Sequence, residues 1–113
     1  MREGKRLLKE ENGAEAASLF KKAFVLTKQQ GDKVQERRAV RGLAAAKRQQ
    51  GDLKAAIDNL LRVLAISQEM NENTGDMDAL GTIADIYAEQ GDLEEAAKYY
   101  DRYLDLLTTA TSE

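Results

Sequence analysis

Apolar residues recur along the chain in the three- and four-residue steps of an amphipathic helix. One small residue and two bulky residues, each a helical turn apart, occur three times at a spacing of 40 residues: Ala16, Phe20 and Phe24; Ala56, Leu60 and Leu64; and Ala96, Tyr100 and Leu104. A constant period of this length is typical of stacked helical repeats.

Short polar breaks divide this pattern into helices. Gly-Asp pairs at 31–32, 51–52 and 91–92 suit a left-handed helix end followed by an N-cap. Further breaks fall at 11–13 and at 71–75. The pattern therefore predicts an all-α chain whose helices cover about 1–10, 14–30, 33–50, 53–70, 76–90 and 93–107.

We expect one domain, 1–113, built from three helix-turn-helix repeats. The repeats are predicted at about 1–31, 32–72 and 73–108, followed by a tail at 109–113. Ala56 and Ala96 lie where a larger side chain would separate the paired helices, and each pair leaves an apolar stripe that the next pair buries.

The periodicity also predicts which side chains face inward. On the helix at 33–50 these are Val34, Ala39, Val40, Leu43, Ala44 and Ala45. The arginines and lysines of that helix are expected around this face, in solvent. Tyr100 and Tyr103 are expected to pack as core on the last helix.

The composition argues against an enzyme. The chain has no Cys and no His, which removes disulfides, thiol nucleophiles, most zinc sites and the usual general base. Its three serines, Ser18, Ser67 and Ser112, lie far apart without a partner base, and no glycine-rich run could hold a phosphate. We therefore predict a non-catalytic chain without a cofactor or a metal ion.

Charge is divided unevenly along the chain. Residues 1–50 carry 13 basic and 6 acidic residues, whereas residues 51–113 carry 4 and 14. Such a division favours an oriented partner or head-to-tail self-association. An RNA-associated protein is a weaker alternative, because no aromatic residue lies among the arginines at 37–48 to stack a base. No apolar run approaches the roughly 20 residues of a membrane span, so we expect a soluble segment that does not itself contact a membrane.

The third repeat resembles the tetratricopeptide repeat. The matching residues are Leu80, Ile83, Ala84, Tyr87, Gly91, Asp92, Ala96 and Tyr100. The resemblance implies a right-handed superhelix of three extended repeats, each of about 40 residues where the ordinary unit has 34. It also implies a groove lined by the first helix of each pair, and hence a protein partner.

Outward positions on those first helices are the candidates for partner contact: Arg2, Lys5, Lys9, Arg38, Arg41, Arg48, Asp78, Asp85 and Glu89. The basic end would take an acidic helix or tail, since arginine recognises carboxylates with two parallel hydrogen bonds. The alternative for each residue is an ordinary solvated helix face. On the last helix, Tyr99, Tyr103 and Leu107 form a second candidate patch, which would dimerise or dock a partner.

A narrower resemblance covers nearly the whole chain. The segments 36–43 (ERRAVRGL), 63–67 (VLAIS) and 91–94 (GDLE), together with Asp85 and Lys98, are similar to the repeat domain of the FLUORESCENT IN BLUE LIGHT family of plastid regulators. That resemblance implies binding to glutamyl-tRNA reductase and repression of 5-aminolevulinic acid synthesis, and so of chlorophyll formation. It implies a chloroplast location, with membrane attachment through segments outside this chain. A generic scaffold for an unrelated acidic peptide is the alternative.

Overall fold

The computed structural model describes the backbone of residues 2–9 and 12–111 and the side chains of 2–5 and 12–109. Six α-helices make up these residues: α1 Arg2–Lys9, α2 Gly13–Gln30, α3 Lys33–Gln49, α4 Leu53–Met70, α5 Asp76–Glu89 and α6 Leu93–Thr111. No strand occurs in the described ranges, which confirms the all-α prediction. Part of the predicted break at 11–13 and the end of the predicted tail lie outside these residues.

The helix ends follow from the Gly-Asp pairs. Gly31, Gly51 and Gly91 have φ of 72°, 83° and 81°, a left-handed conformation that L-residues with side chains rarely adopt. The carboxylates of Asp32 and Asp52 then each accept a hydrogen bond of 3.1 Å from the backbone amide three residues further on. One repeated dipeptide therefore ends one helix and begins the next.

The chain forms two compact units, residues 1–72 and 73–113. In the first unit α2 packs against α1 and α3, and α3 packs against α4; in the second unit α5 packs against α6. We refer to α1–α2, α3–α4 and α5–α6 as hairpins 1, 2 and 3. Hairpins 1 and 2 form the first unit, and hairpin 3 forms the second.

Phe20 is the largest side chain in the core between hairpins 1 and 2, and it is 1 % exposed. Its ring lies against Gly4 of α1 and Gly42 of α3, where an added Cβ would overlap the ring. Around it pack four buried residues of α2 and α3: Ala16, Ala17, Leu43 and Ala46. Glycines on both neighbouring helices thus leave room for one phenylalanine.

Ala56 near the start of α4 is fully buried, as its position in the repeat predicts. Replacing Ala56 by phenylalanine should lower the free energy of unfolding by about 1–3 kcal/mol, because the larger side chain would push α4 away from α3. Thermal unfolding followed by circular dichroism measures the effect. The control is Ala65→Phe, at an exposed position of the same helix. Equal melting temperatures for the two variants would contradict the prediction.

In the second unit the buried residues lie mainly on α5: Ala79, Leu80, Ile83, Ala84 and Ile86, with Ala96 on α6. Tyr99 of α6 stacks on Tyr87 of α5 with ring centroids 5.8 Å apart. These contacts hold the two helices of hairpin 3 together.

Some inward predictions were wrong. Val34 is 48 % exposed in the first turn of α3. Ala45 is exposed on the face of α3 that carries Arg38 and Arg41. Tyr100, which was expected to pack as core, is 38 % exposed.

Candidate partner-binding surfaces

The basic candidates of α3 share one face of that helix. Arg38, Arg41 and Arg48 are three and seven residues apart, a spacing that places side chains on one side of an α-helix. Arg38 is exposed, whereas Arg41 and Arg48 are half-buried. Half-buried guanidinium groups are partly immobilised before binding, so they lose less freedom when they contact a carboxylate.

The basic candidates of α1 belong to the same unit. Arg2 and Lys5 are exposed on α1, which contacts α3. The backbone of Lys9 lies in α1, but its side chain lies outside the described part of the chain. The structure therefore brings the basic residues of α1 and α3 onto two neighbouring helices, as the repeat pattern requires.

The acidic candidates lie in hairpin 3. Asp78, Asp85 and Glu89 are all exposed and follow one another at seven and four residues along α5. A cleft of about 400 Å³ opens beside them, and its lining consists of Met77, Asp78, Gly81, Thr82, Asp85, Tyr100 and Tyr103. The structure therefore places Asp78 and Asp85 at one shared cleft.

Tyr100 closes one side of this cleft. Its hydroxyl donates a hydrogen bond of 2.6 Å to the carboxylate of Asp85. This hydrogen bond, together with the negative charges of Asp85 and Glu89, raises the pKa of Tyr100 above its ordinary value. The cleft is consequently an acidic site with an aromatic wall, which suits a basic side chain.

The predicted patch on α6 divides into two parts. Tyr99 and Tyr103 are half-buried. The ring of Tyr99 stacks on Tyr87, and the guanidinium of Arg102 lies 5.5 Å from the centre of the Tyr99 ring. Tyr103 lines the cleft described above. Leu107 is exposed. Leu93, Tyr100 and Leu104 are exposed as well.

Sequence reasoning also missed Arg37, which is only 5 % exposed. Its guanidinium donates to the hydroxyl of Ser67 at 2.9 Å, and to the backbone carbonyl and the carboxylate of Glu72 at 3.0 Å and 2.6 Å. A signal for burial was present in the sequence, because Arg37 lies three residues before Val40 and seven before Ala44, on the apolar side of α3.

A second cleft lies in the first unit, and the hydrophobic pattern does not predict it. The cleft measures about 340 Å³ and is lined by Phe24, Lys28, Lys33, Glu36, Arg62, Ala65, Ile66 and Glu69. Lys28 and Arg62 lie 5.6 Å and 5.2 Å from the centre of the Phe24 ring. Lys33 bonds Glu69 at 2.8 Å, and this hydrogen bond raises the pKa of Lys33. Lys33 is therefore paired with both acidic residues of this cleft, Glu36 and Glu69, whereas Lys28 and Arg62 lie over the Phe24 ring.

The described residues contain no cluster of acidic side chains arranged to hold a metal ion. Among the same residues, no helix has the combination of length and apolar character that crossing a bilayer requires.

Comparison with known proteins supports the repeat assignment. Two family models, each described as tetratricopeptide repeat, match residues 38–109 and 1–71. The chain is similar to the protein FLUORESCENT IN BLUE LIGHT, chloroplastic, of Arabidopsis thaliana, with 40 % identity over 109 residues. That match covers 96 % of this chain and 34 % of the relative, so the chain spans about a third of the relative's length.

A solved structure gives the same result. The chain is similar to the crystal structure of the TPR domain of Arabidopsis FLU, with a TM-score of 0.90 and 41 % sequence identity. The match covers 96 % of this chain and 91 % of that chain, so both predicted resemblances are confirmed. With six helices in three hairpins and family matches that together extend from residue 1 to residue 109, the chain belongs to the tetratricopeptide repeat family of non-catalytic protein-interaction domains.

Proposed function

We propose that this domain binds glutamyl-tRNA reductase and thereby represses 5-aminolevulinic acid synthesis. The observation that supports the proposal most is the 41 % identity to the TPR domain of Arabidopsis FLU over nearly the full length of both chains. Members of the FLUORESCENT IN BLUE LIGHT family are expected to act in this way. The similarity of fold and sequence makes the same partner the first one to test.

The proposed contact surface is the basic face of α1 and α3, formed by Arg2, Lys5, Lys9, Arg38, Arg41 and Arg48. A helix or tail of the partner with exposed carboxylates would suit this face, because guanidinium groups bind carboxylates through charge-assisted hydrogen bonds. Asp78, Asp85 and Glu89 on α5 would contact basic residues of the same partner and so orient it.

Binding alone would regulate the enzyme. A partner that is held on this domain loses access to whatever surface the domain covers, and no group of this domain needs to react. The proposal places the domain in the chloroplast, where the name of its relative places that protein. Membrane attachment would come through segments outside residues 1–113.

The test is a titration of purified glutamyl-tRNA reductase with the domain and with an Arg38→Glu, Arg41→Glu variant. We expect the variant to bind at least about tenfold more weakly at low salt, since two guanidinium–carboxylate contacts become repulsive. Isothermal titration calorimetry measures the affinity, and circular dichroism checks that the helices remain. Because Arg41 is half-buried, the single variant Arg38→Glu is measured alongside.

A matched control separates the basic face from net charge. Lys21 and Lys22 are exposed on α2, and reversing both changes the charge of the domain by the same amount. This control should bind within about twofold of the unaltered domain. Equal losses in both double variants would refute the basic face. Absence of any binding to the enzyme would refute the proposed partner and leave a scaffold for another acidic peptide.

A further inference from the structure

An apolar stripe on α6 is open to solvent. It consists of Leu93, Tyr100, Leu104 and Leu107, which are 69, 38, 52 and 39 % exposed. Their separations of seven, four and three residues place them on one side of the helix, in the spacing by which helices pack against each other in coiled coils. Large apolar side chains that are aligned and exposed on one helix face mark an interaction site. An open stripe of this kind therefore indicates a surface that another element covers.

The equivalent stripe of hairpin 1 is already covered by a helix. The residue 80 positions before Tyr100 is Phe20, which is 1 % exposed, and its ring lies against Gly42 of α3. The residue 80 positions before Leu107 is Thr27, which is 8 % exposed. Within the first unit, the element that packs on this stripe is thus an amphipathic helix with a small residue facing the aromatic ring.

The charge of hairpin 3 determines the chemistry of a helix that would fit there. Residues 73–113 contain ten acidic and two basic residues. Glu94, Asp101 and Asp105 are exposed along one edge of the stripe, and Asp78 and Asp85 line the cleft beside Tyr100. A covering helix with lysine or arginine on its flanks would be attracted to both edges, whereas an acidic helix would be repelled.

A second copy of the chain fits this stripe poorly. A symmetric contact through α6 would bring two strongly acidic hairpins together. In a head-to-tail contact, α1 of the next copy would pack on the α6 stripe as α3 packs on α2. The positions of α1 that correspond to Gly42, Leu43 and Ala46 of α3 are occupied by charged residues: Arg2, Glu3 and Arg6. Charged residues at these positions cannot pack against the leucines of the stripe.

From these observations we propose that the stripe of α6 docks a cationic amphipathic helix of another polypeptide. The docked helix would present a small residue to Tyr100 and place arginine or lysine side chains along the acidic edge of α6 formed by Glu94, Asp101 and Asp105. This surface is distinct from the basic face of α1 and α3 and takes a partner of opposite charge. The domain would consequently hold an acidic and a basic segment on different hairpins.

The test uses a labelled synthetic peptide of residues 33–50, since α3 carries six basic residues and one acidic residue and covers the equivalent stripe of hairpin 1. Fluorescence anisotropy measures its binding to the unaltered chain and to Leu104→Glu. We expect at least about tenfold weaker binding by the variant, because a carboxylate would interrupt the apolar contact. The added negative charge alone would strengthen binding of a basic peptide, so a loss reports the apolar contact.

Leu26→Glu is the matched control, because Leu26 is a leucine of α2 with a similar exposure of 54 %. It should bind the peptide within about twofold of the unaltered chain. Leu107→Glu is the second stripe variant and should reproduce the loss, and circular dichroism checks the fold of all three. A peptide with glutamine in place of Arg37, Arg38 and Arg41 should bind more weakly.

Three outcomes would overturn the proposal. One is equal binding of the peptide by the unaltered chain and both stripe variants. Another is equal binding of the basic and glutamine-substituted peptides, which would remove the charge argument. The third is a dimer of the unaltered chain in sedimentation equilibrium that Leu104→Glu converts to a monomer, since the stripe would then be covered by a second copy. None of these measurements involves glutamyl-tRNA reductase, so they leave the proposed function untouched.

Discussion

Replacing Arg37 by alanine is expected to lower the free energy of unfolding by about 3 kcal/mol. The guanidinium is buried in the first unit and donates three hydrogen bonds, to Ser67 and to the backbone and carboxylate of Glu72. Alanine removes all three and leaves a cavity. The loss should fall at the lower end of the range for buried ion pairs, because the Glu72 side chain is 41 % exposed and can be rehydrated.

Urea unfolding followed by circular dichroism measures this loss. The control is Arg38→Ala, since Arg38 is the next residue of α3 and is exposed; it should change stability by less than about 0.5 kcal/mol. Arg37→Met should lose less than Arg37→Ala, because a methionine fills the space without needing hydrogen-bond partners. If Arg37→Ala and Arg38→Ala unfold at the same urea concentration, the contacts with Ser67 and Glu72 do not stabilise the fold.

The helices could be predicted because their ends are chemically marked. Glycine at 31, 51 and 91 has a positive φ in the structure, and the aspartate that follows it caps the next helix at 32 and 52. Local chemistry of this kind is visible in a single sequence. The small residues at 16, 56 and 96 are buried for a similar reason, since their spacing alone places them between paired helices.

Arg37 could not be identified as buried with the same ease. Its partners Ser67 and Glu72 lie 30 and 35 residues further along the chain, and only the packing of α3 against α4 brings them together. In the sequence Arg37 is one of several arginines in a basic segment, where a solvated side chain is the ordinary expectation. Its position on the apolar side of α3 was the one available signal.

The exposed stripe of α6 was predicted only in part, at Leu107. The repeat pattern assigned Tyr100 to the core, because its equivalents Phe20 and Leu60 are core residues at 1 % and 6 % exposure. Periodicity predicts the same environment for every copy of a repeat. Burial, however, depends on which helix covers the repeat, and the pattern within one repeat contains no information about that neighbour.

Replacing Phe20 by alanine should lower the free energy of unfolding by about 3–5 kcal/mol, the range for a buried phenylalanine. Its ring fills the space between Gly4 and Gly42, so truncation leaves a cavity lined by two helix backbones that cannot collapse freely. The matched control is Phe24→Ala: Phe24 lies one turn later on α2 and is half-buried, so its loss should be clearly smaller. Urea unfolding of both variants measures the difference, and equal losses would mean that Phe20 does not fill the centre of this core.

The effect of Gly42→Ala on the free energy of unfolding should depend on the side chain at position 20. Glycine inside a helix costs roughly 1 kcal/mol relative to alanine, yet an added methyl group at 42 would overlap the Phe20 ring. Gly42→Ala alone should therefore destabilise the fold. In a Phe20→Leu background, the same substitution should become neutral or stabilising; leucine is chosen because it occupies the equivalent position 60. A double-mutant cycle measures this coupling, expected at about 1 kcal/mol or more. Additive effects of the two substitutions would show that the ring and the glycine do not constrain each other, and that another feature of α3 requires glycine at this position.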